Sequence, residues 1–163
     1  MLGYLAVVLS DILLKAWCAA NIKDGGDIPL LPGIIRLTYT ENRGAAFSIL
    51  QNARWFFVWL GVATIIGLLA LMRFDKHLGR SRIGLASLTL LLAGTTGNLI
   101  DRILQGYVVD MFMTEFINFA IFNVADIALT CGGVMVCAYV LFSGAYKREP
   151  DGADSAETPD ESP

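Results

Sequence analysis

Asp11, Lys15, Asp101, Arg102, Asp110 and Asp126 stand in or beside long apolar runs, where ionisable side chains are rare. The lone histidine, His77, lies in a basic segment with no partner constellation around it, and zinc-peptidase motifs are absent. Hydrolytic chemistry would therefore fall to carboxylates or to a serine–lysine pair. Two carboxyls suit peptide hydrolysis. The ionised one takes a proton from water and the protonated one donates to the carbonyl oxygen, proximity pushing their pKa values apart. Such a dyad requires no metal, no cofactor and no covalent intermediate, and none is expected here. Cys18, Cys131 and Cys137 lack the close spacing or histidine companions of a metal site and read as small core residues.

Spacing sorts the charged residues. Asp11 and Lys15 are i, i+4 with the acid first, the favourable order for a helical ion pair. That pair either neutralises itself so that the first helix can insert, or orients a substrate or another acid. Asn98, Asp101 and Arg102 share one helical face, where the adjacent acid and base can offset each other in a structural network. Asp110 differs: it follows Gly106-Tyr107-Val108-Val109, lies past a helix end and has no cation near it in sequence. Asp126 falls in the first turn of the last helix if Asn123 is the N-cap, where free N–H groups and the helix dipole favour an anion. Asp110 and Asp126 can thus converge at one membrane interface as a catalytic pair. The competing reading is an interfacial acid that snorkels and a separate helix cap, and spacing alone does not choose.

The elements that must position these residues are membrane spans. With 55% hydrophobic residues and a mean hydropathy of +0.59, the chain carries more apolar surface than one soluble core of its size can hide. Spanning a bilayer takes about 20 mainly apolar residues. Four segments approach that: about Leu2 to Ala20, Trp55 to Met72, Ile83 to Leu104 and Asn123 to Phe142. The first reads as a retained helix, because it lacks a basic n-region and is interrupted by Asp11 and Lys15. The fold class expected is an all-α membrane protein of four transmembrane helices. Its segment 21–53 carries Ile34, Ile35, Leu37, Tyr39 and Thr40 between turn formers, predicting a small β-rich piece between helices 1 and 2.

Arg73, Lys76, Arg80 and Arg82 crowd ten residues, whereas Ile103 to Tyr146 contains no Lys or Arg. By the positive-inside rule the basic connection is cytoplasmic, as are both termini, and the β-rich segment is extracytoplasmic. The net charge of −3 comes from six acids in the last fifteen residues; nine acids remain against twelve bases in the rest. Residues 149–163 read as a disordered acidic tail on a membrane domain of residues 1–148. No basic stripe interleaved with aromatics appears, which speaks against a nucleic-acid partner.

Four blocks in order give a sharper indication: Asp11-Ile12-Leu13-Leu14-Lys15; Asn42-Arg43-Gly44-Ala45-Ala46-Phe47; Gly97-Asn98-Leu99-Ile100-Asp101-Arg102 with Gly106-x-Val108-x-Asp110; and Phe122-Asn123-Val124-Ala125-Asp126. Together, over about residues 1–142, they resemble the signature blocks of bacterial lipoprotein signal peptidases. The Ile-Leu-Leu centre of the first block departs from the polar residues frequent there. The resemblance implies an aspartic endopeptidase of the cytoplasmic (inner) membrane, acting near its outer face. It would remove signal peptides from diacylglyceryl-modified prolipoproteins, N-terminal to the lipidated cysteine and downstream of the diacylglyceryl transferase, among membrane lipids. It places the catalytic acids on Asp110 and Asp126. It gives substrate-binding or supporting places to Asp11, Lys15, Asn42, Gly44, Ala46, Asn98, Asp101, Arg102, Gly106, Val108, Asn123 and Ala125. Two other classes fit intramembrane acids: a small proton-coupled transporter and a non-enzymatic membrane assembly factor.

Overall fold

The computed structural model describes residues 2–44 and 50–144, so Ala46 and the acidic tail lie outside the described residues. Four helices are long and apolar enough to cross a membrane: α1 (Leu2–Asn21), α2 (Arg54–Phe74), α3 (Arg82–Leu104) and α4 (Val124–Phe142). They match the four segments expected to within two residues at each end. Between them run β1 (Ile28–Leu31), β2 (Ile35–Asn42) and β3 (Val108–Thr114), which form one antiparallel sheet in the order β1-β2-β3.

That sheet corrects the sequence reading in two ways. The fold is not all-α, and the β structure is not confined to the segment between helices 1 and 2, because β3 comes from the connection between α3 and α4. Asp110 accordingly lies on a strand, opposite Thr40, and not in a plain loop. Pro29 lies inside β1. An edge strand can accept a residue with no N–H to donate.

α3 is the central helix and packs against the other three. Its small residues make this possible. A Cβ on Gly94 would stand 2.4 Å from the Ala125 carbonyl oxygen, and one on Gly97 would stand 2.6 Å from an Asp11 carboxylate oxygen. On α4, a Cβ on Gly132 would meet the Ser87 carbonyl oxygen at 2.9 Å. Lipid offers no hydrophobic drive for helix pairing, so close backbone approach supplies dispersion contacts in its place. α2 presents Trp55, Phe56, Trp59, Leu60, Ile66 and Leu69 outward, as expected of a lipid-facing helix.

The sheet sits at one end of the bundle. Cys18 of α1 and Ile22 just past its end pack with Leu37 of β2 and with Val109 and Met111 of β3, all buried. Beyond the first turn of the hairpin, Glu115 accepts hydrogen bonds from the Gly33 N–H and the Arg36 guanidinium, tying the β1–β2 turn to the end of β3. The opposite end is closed by Leu68, Leu78 and Leu88, under the basic connection between α2 and α3. At the sheet end, Arg54 reaches from the start of α2 to the carbonyls of Arg102 and Ile103 at 2.8 and 2.7 Å. It thereby satisfies acceptors that the last turn of α3 leaves without helical partners.

The α3–α4 contact yields a paired prediction. Gly94→Ala should destabilise the protein by about 1–3 kcal/mol, because the added methyl meets backbone. Gly67→Ala on α2, where nothing lies within 4 Å, should be neutral or slightly stabilising. Thermal unfolding of both variants in detergent, against the wild type, checks the contrast.

Candidate active site

Three chain segments meet where the sheet joins the bundle, and each delivers one part of a polar cluster. α3 ends at Leu104, and Gly106, with φ +84, supplies the left-handed turn that sends the chain into β3. β3 then runs alongside β2. Past its end the chain doubles back, and Phe122 pairs with Met111 and Phe112 through backbone bonds of 2.8 to 3.1 Å. This return sets Asn123 beside β3 immediately before α4 begins.

Asn123 is the N-cap of α4. Its side-chain oxygen accepts the Asp126 N–H at 2.9 Å, and the Asp126 carboxylate accepts the Asn123 N–H at 3.2 Å, a reciprocal capping box. The same Asn123 amide donates to Asp110 at 2.7 Å, so one fully buried side chain joins the two acids. Asp110 receives a second hydrogen bond, at 2.9 Å, from Asn42, its diagonal neighbour across the β2–β3 pair. Asp126 receives one from Asn98 of α3 at 2.8 Å. The Asp110 carboxyl, 2% exposed, is pushed up to about 6, chiefly by burial and further by the charge of Asp126; the Asn42 and Asn123 hydrogen bonds and the Lys15 charge oppose the rise.

The acids open onto a cavity of about 490 Å³. Asn42, Asn98, Arg102, Asp110 and Asp126 line its polar side, and Phe119, Ile121, Phe122, Ile127 and Leu129 its apolar side. Arg102 donates to the carbonyls of Asn98 and Gly44, at 3.3 and 3.2 Å, and lies 4.9 Å above the Phe57 ring. Val108, 2% exposed, closes the floor. A concave site with an apolar wall and a few converging polar groups is the usual form of a ligand site.

Behind the cavity lies a second cluster. Lys15 bridges Asp11 at 2.7 Å and Asp101 at 2.9 Å, so the i, i+4 pair of α1 is not self-contained. Asp101 makes its close ion pair with Lys15, not with Arg102 as its position in sequence suggested, and accepts the Val109 N–H at 3.2 Å. Helical geometry explains the difference, since successive side chains diverge by about a quarter turn. Asp11 accepts the Ala125 N–H at 2.9 Å, and Ala125 is fully buried against α3. Gly44 donates its N–H to the Asn42 side chain at 3.0 Å, forming a tight local turn. The structure thus gathers twelve of the fourteen expected residues, the two acids included, in this cluster or just behind it; Gly106 acts from the turn below, and Ala46 lies outside the described residues. Sequence reasoning missed Arg54, which stands just before an apolar span, and the Phe119–Phe122 wall, which carries no polar signal. Among the described residues no group of three or more His, Cys, Asp or Glu is placed to hold a metal ion.

Four membrane-length helices, with a carboxylate-lined cavity between α3, α4 and the sheet, are the architecture of a multi-pass membrane protein. A solved structure described as a bacterial membrane enzyme superimposes with a TM-score of 0.81 and 31% identity, covering 93% of this chain and 92% of its own. A second of the same description gives 0.76 and 32%, over 86% and 91%. The family model for signal peptidase (SPase) II matches residues 4–142, and the chain belongs to that family. The lipoprotein signal peptidase of Latilactobacillus sakei is 44% identical over 138 residues, 83% of this chain and 87% of that protein. That of Streptococcus thermophilus strain CNRZ 1066 is 48% identical over 132 residues, 81% and 85% respectively. The protein is a membrane peptidase, and neither the transporter nor the assembly-factor reading is favoured.

The raised Asp110 carboxyl has a consequence for stability. A group that binds its proton more tightly in the folded state supports folding fully at low pH, and that support is lost as pH rises through the folded value, here about 6. Between pH 5 and pH 8 the wild type should therefore lose roughly 1–1.5 kcal/mol that Asp110→Asn does not lose. Melting curves of both proteins at the two pH values measure it, and equal pH dependence would contradict the assignment.

Proposed function

We propose that the protein is an aspartic endopeptidase that removes the signal peptide from diacylglyceryl-modified prolipoproteins, cutting N-terminal to the lipidated cysteine. The observation that carries the reading is the link of Asp110 and Asp126 through the buried Asn123 amide at the wall of a mostly apolar cavity. One carboxyl of the pair is ionised and the other holds a proton. The ionised one takes a proton from water as the oxygen bonds to the scissile carbonyl carbon, and the protonated one donates to the carbonyl oxygen. Collapse of the tetrahedral diol then breaks the C–N bond: the departing amine takes a proton from one acid while a diol hydroxyl gives its proton to the other, which leaves a carboxylic acid and restores the singly protonated dyad. The two acids titrate as a coupled pair, so the sharing of that proton belongs to the dyad.

Asn42, Asn98 and Asn123 orient the two carboxyls, while Arg102, Gly44, Ala46 and Val108 shape the path of the substrate backbone. Asp101, Gly106 and Ala125 hold β3 and the start of α4 in place. The apolar wall from Phe119 to Leu129 suits the apolar flank of a signal peptide, with the acyl chains left among membrane lipids. The enzyme sits in the cytoplasmic (inner) membrane. Arg73, Lys76, Arg80 and Arg82 mark the cytoplasmic end, which puts the sheet and the dyad at the outer face and both termini, with the acidic tail 149–163, inside. Its substrates require prior diacylglyceryl transfer, which places it after that transferase.

A detergent-micelle cleavage assay with a diacylglyceryl-modified precursor and its unlipidated twin tests the reading. Folded wild type should cleave only the lipidated form. Asp110→Asn and Asp126→Asn should each lose more than about 1,000-fold in kcat while keeping their fold. Normal turnover by either variant would sink it.

A further inference from the structure

Lys15 lies outside the cavity yet touches a group that lines it. The residue is 3% exposed, and its ammonium has three donors and no acceptor. Two contacts are the ion pairs with Asp11 and Asp101. The third is a hydrogen bond of 3.3 Å to the Asn98 side-chain oxygen. Neutralising buried acids does not require that third bond, and its effect is directional. An amide has an oxygen end and a nitrogen end. A cation held on the oxygen leaves the nitrogen to face Asp126, to which it donates at 2.8 Å. The same Asn98 oxygen accepts from the Asn123 amide at 3.1 Å, and that amide donates to Asp110. Lys15 therefore stands at the head of a donor chain that runs through Asn98 to Asp126, and it shares the Asn98 oxygen with the Asn123 amide that donates to Asp110.

We propose that Lys15 is a positioning residue for peptide hydrolysis, fixing the Asn98 amide so that its N–H groups face Asp126 and setting a buried positive charge behind both acids. The inference rests on the dyad reading above. The charged groups around the dyad are Asp11 and Lys15 from α1, Asp101 and Arg102 from α3, Asp126 from α4 and Asp110 from β3. Lys15 opposes the upward push that burial and Asp126 exert on Asp110. Removing its charge should therefore move the dyad's working range to higher pH.

The bland alternative is that Lys15 only offsets Asp11 and Asp101. Lys15→Gln alone would leave two buried acids without their ion-pair partner and should impair folding itself. Lys15→Gln/Asp101→Asn removes one positive and one negative charge together, keeping the charge of the trio unchanged and an acceptor near Val109. This double variant should fold, with kcat lowered about ten- to a hundredfold, KM changed less than about twofold, and the pH–rate profile displaced upward by about half a unit or more. Adding Asn98→Ala should cost less in this background than in the wild type, because both changes break one chain. A wild-type rate and profile, full additivity with Asn98→Ala, or failure of the charge-balanced protein to fold would each assign Lys15 to the fold alone and overturn the proposal. Inactive Asp110→Asn and Asp126→Asn proteins beside a wild-type-like double variant would sink this inference and leave the dyad standing.

Discussion

Every part of the functional end depends on one constraint: charge taken out of water must be answered by opposite charge or by donated hydrogen bonds. Asp11, Lys15 and Asp101 meet it with ion pairs of 2.7 and 2.9 Å, buried between α1 and α3. Those contacts also fix geometry. Asp101 takes the Val109 N–H and so pins the start of β3; Asp11 takes the Ala125 N–H and so pins the start of α4. The two elements that carry Asp110 and Asp126 are each anchored by an acid of the same trio. Gly97 is the steric condition for this, since a side chain there would occupy the place of the Asp11 carboxylate.

The second pair of acids is treated differently. Asp110 and Asp126 receive amide N–H groups but no ion pair within 4 Å appears between either of them and a described cation. Neutral donors hold a carboxylate in place without neutralising it, so Asp110 remains raised to about 6, within the range useful for proton transfer. The bundle thus separates two tasks that the same residue type can perform. Acids against Lys15 build the site, and acids against asparagines face the cavity. Loss of a counter-ion in the first set should damage the fold, whereas loss of charge in the second should damage turnover.

Much of this was legible in the residues. Apolar runs of span length gave all four helices, and Asn123 followed three residues later by Asp126 gave the cap of α4, because both signals are local. What could not be read was long-range pairing. Val108 to Thr114 carries β-branched and aromatic residues, yet its membership in the sheet depends on β2, some seventy residues earlier, so Asp110 could be read only as lying past a helix end. The partner of Asp101 was misread for a related reason. Adjacency in sequence favoured Arg102, while the fold brings in Lys15 from a different helix. The order of the signature blocks identified the family although it could not reveal these contacts, since shared pattern records which residues matter without stating what each one touches.

The central claim is that Asp110 and Asp126 act as one electrostatically coupled pair. The most direct measurement is an infrared or isotope-edited NMR titration of the Asp110 carboxyl in wild-type and Asp126→Asn proteins. The account predicts a transition near 6 in the wild type that moves to lower pH when the Asp126 charge is removed, because that charge is one of the influences raising it. An Asp110 transition that stays where it was in the variant would show two independent acids and contradict the account.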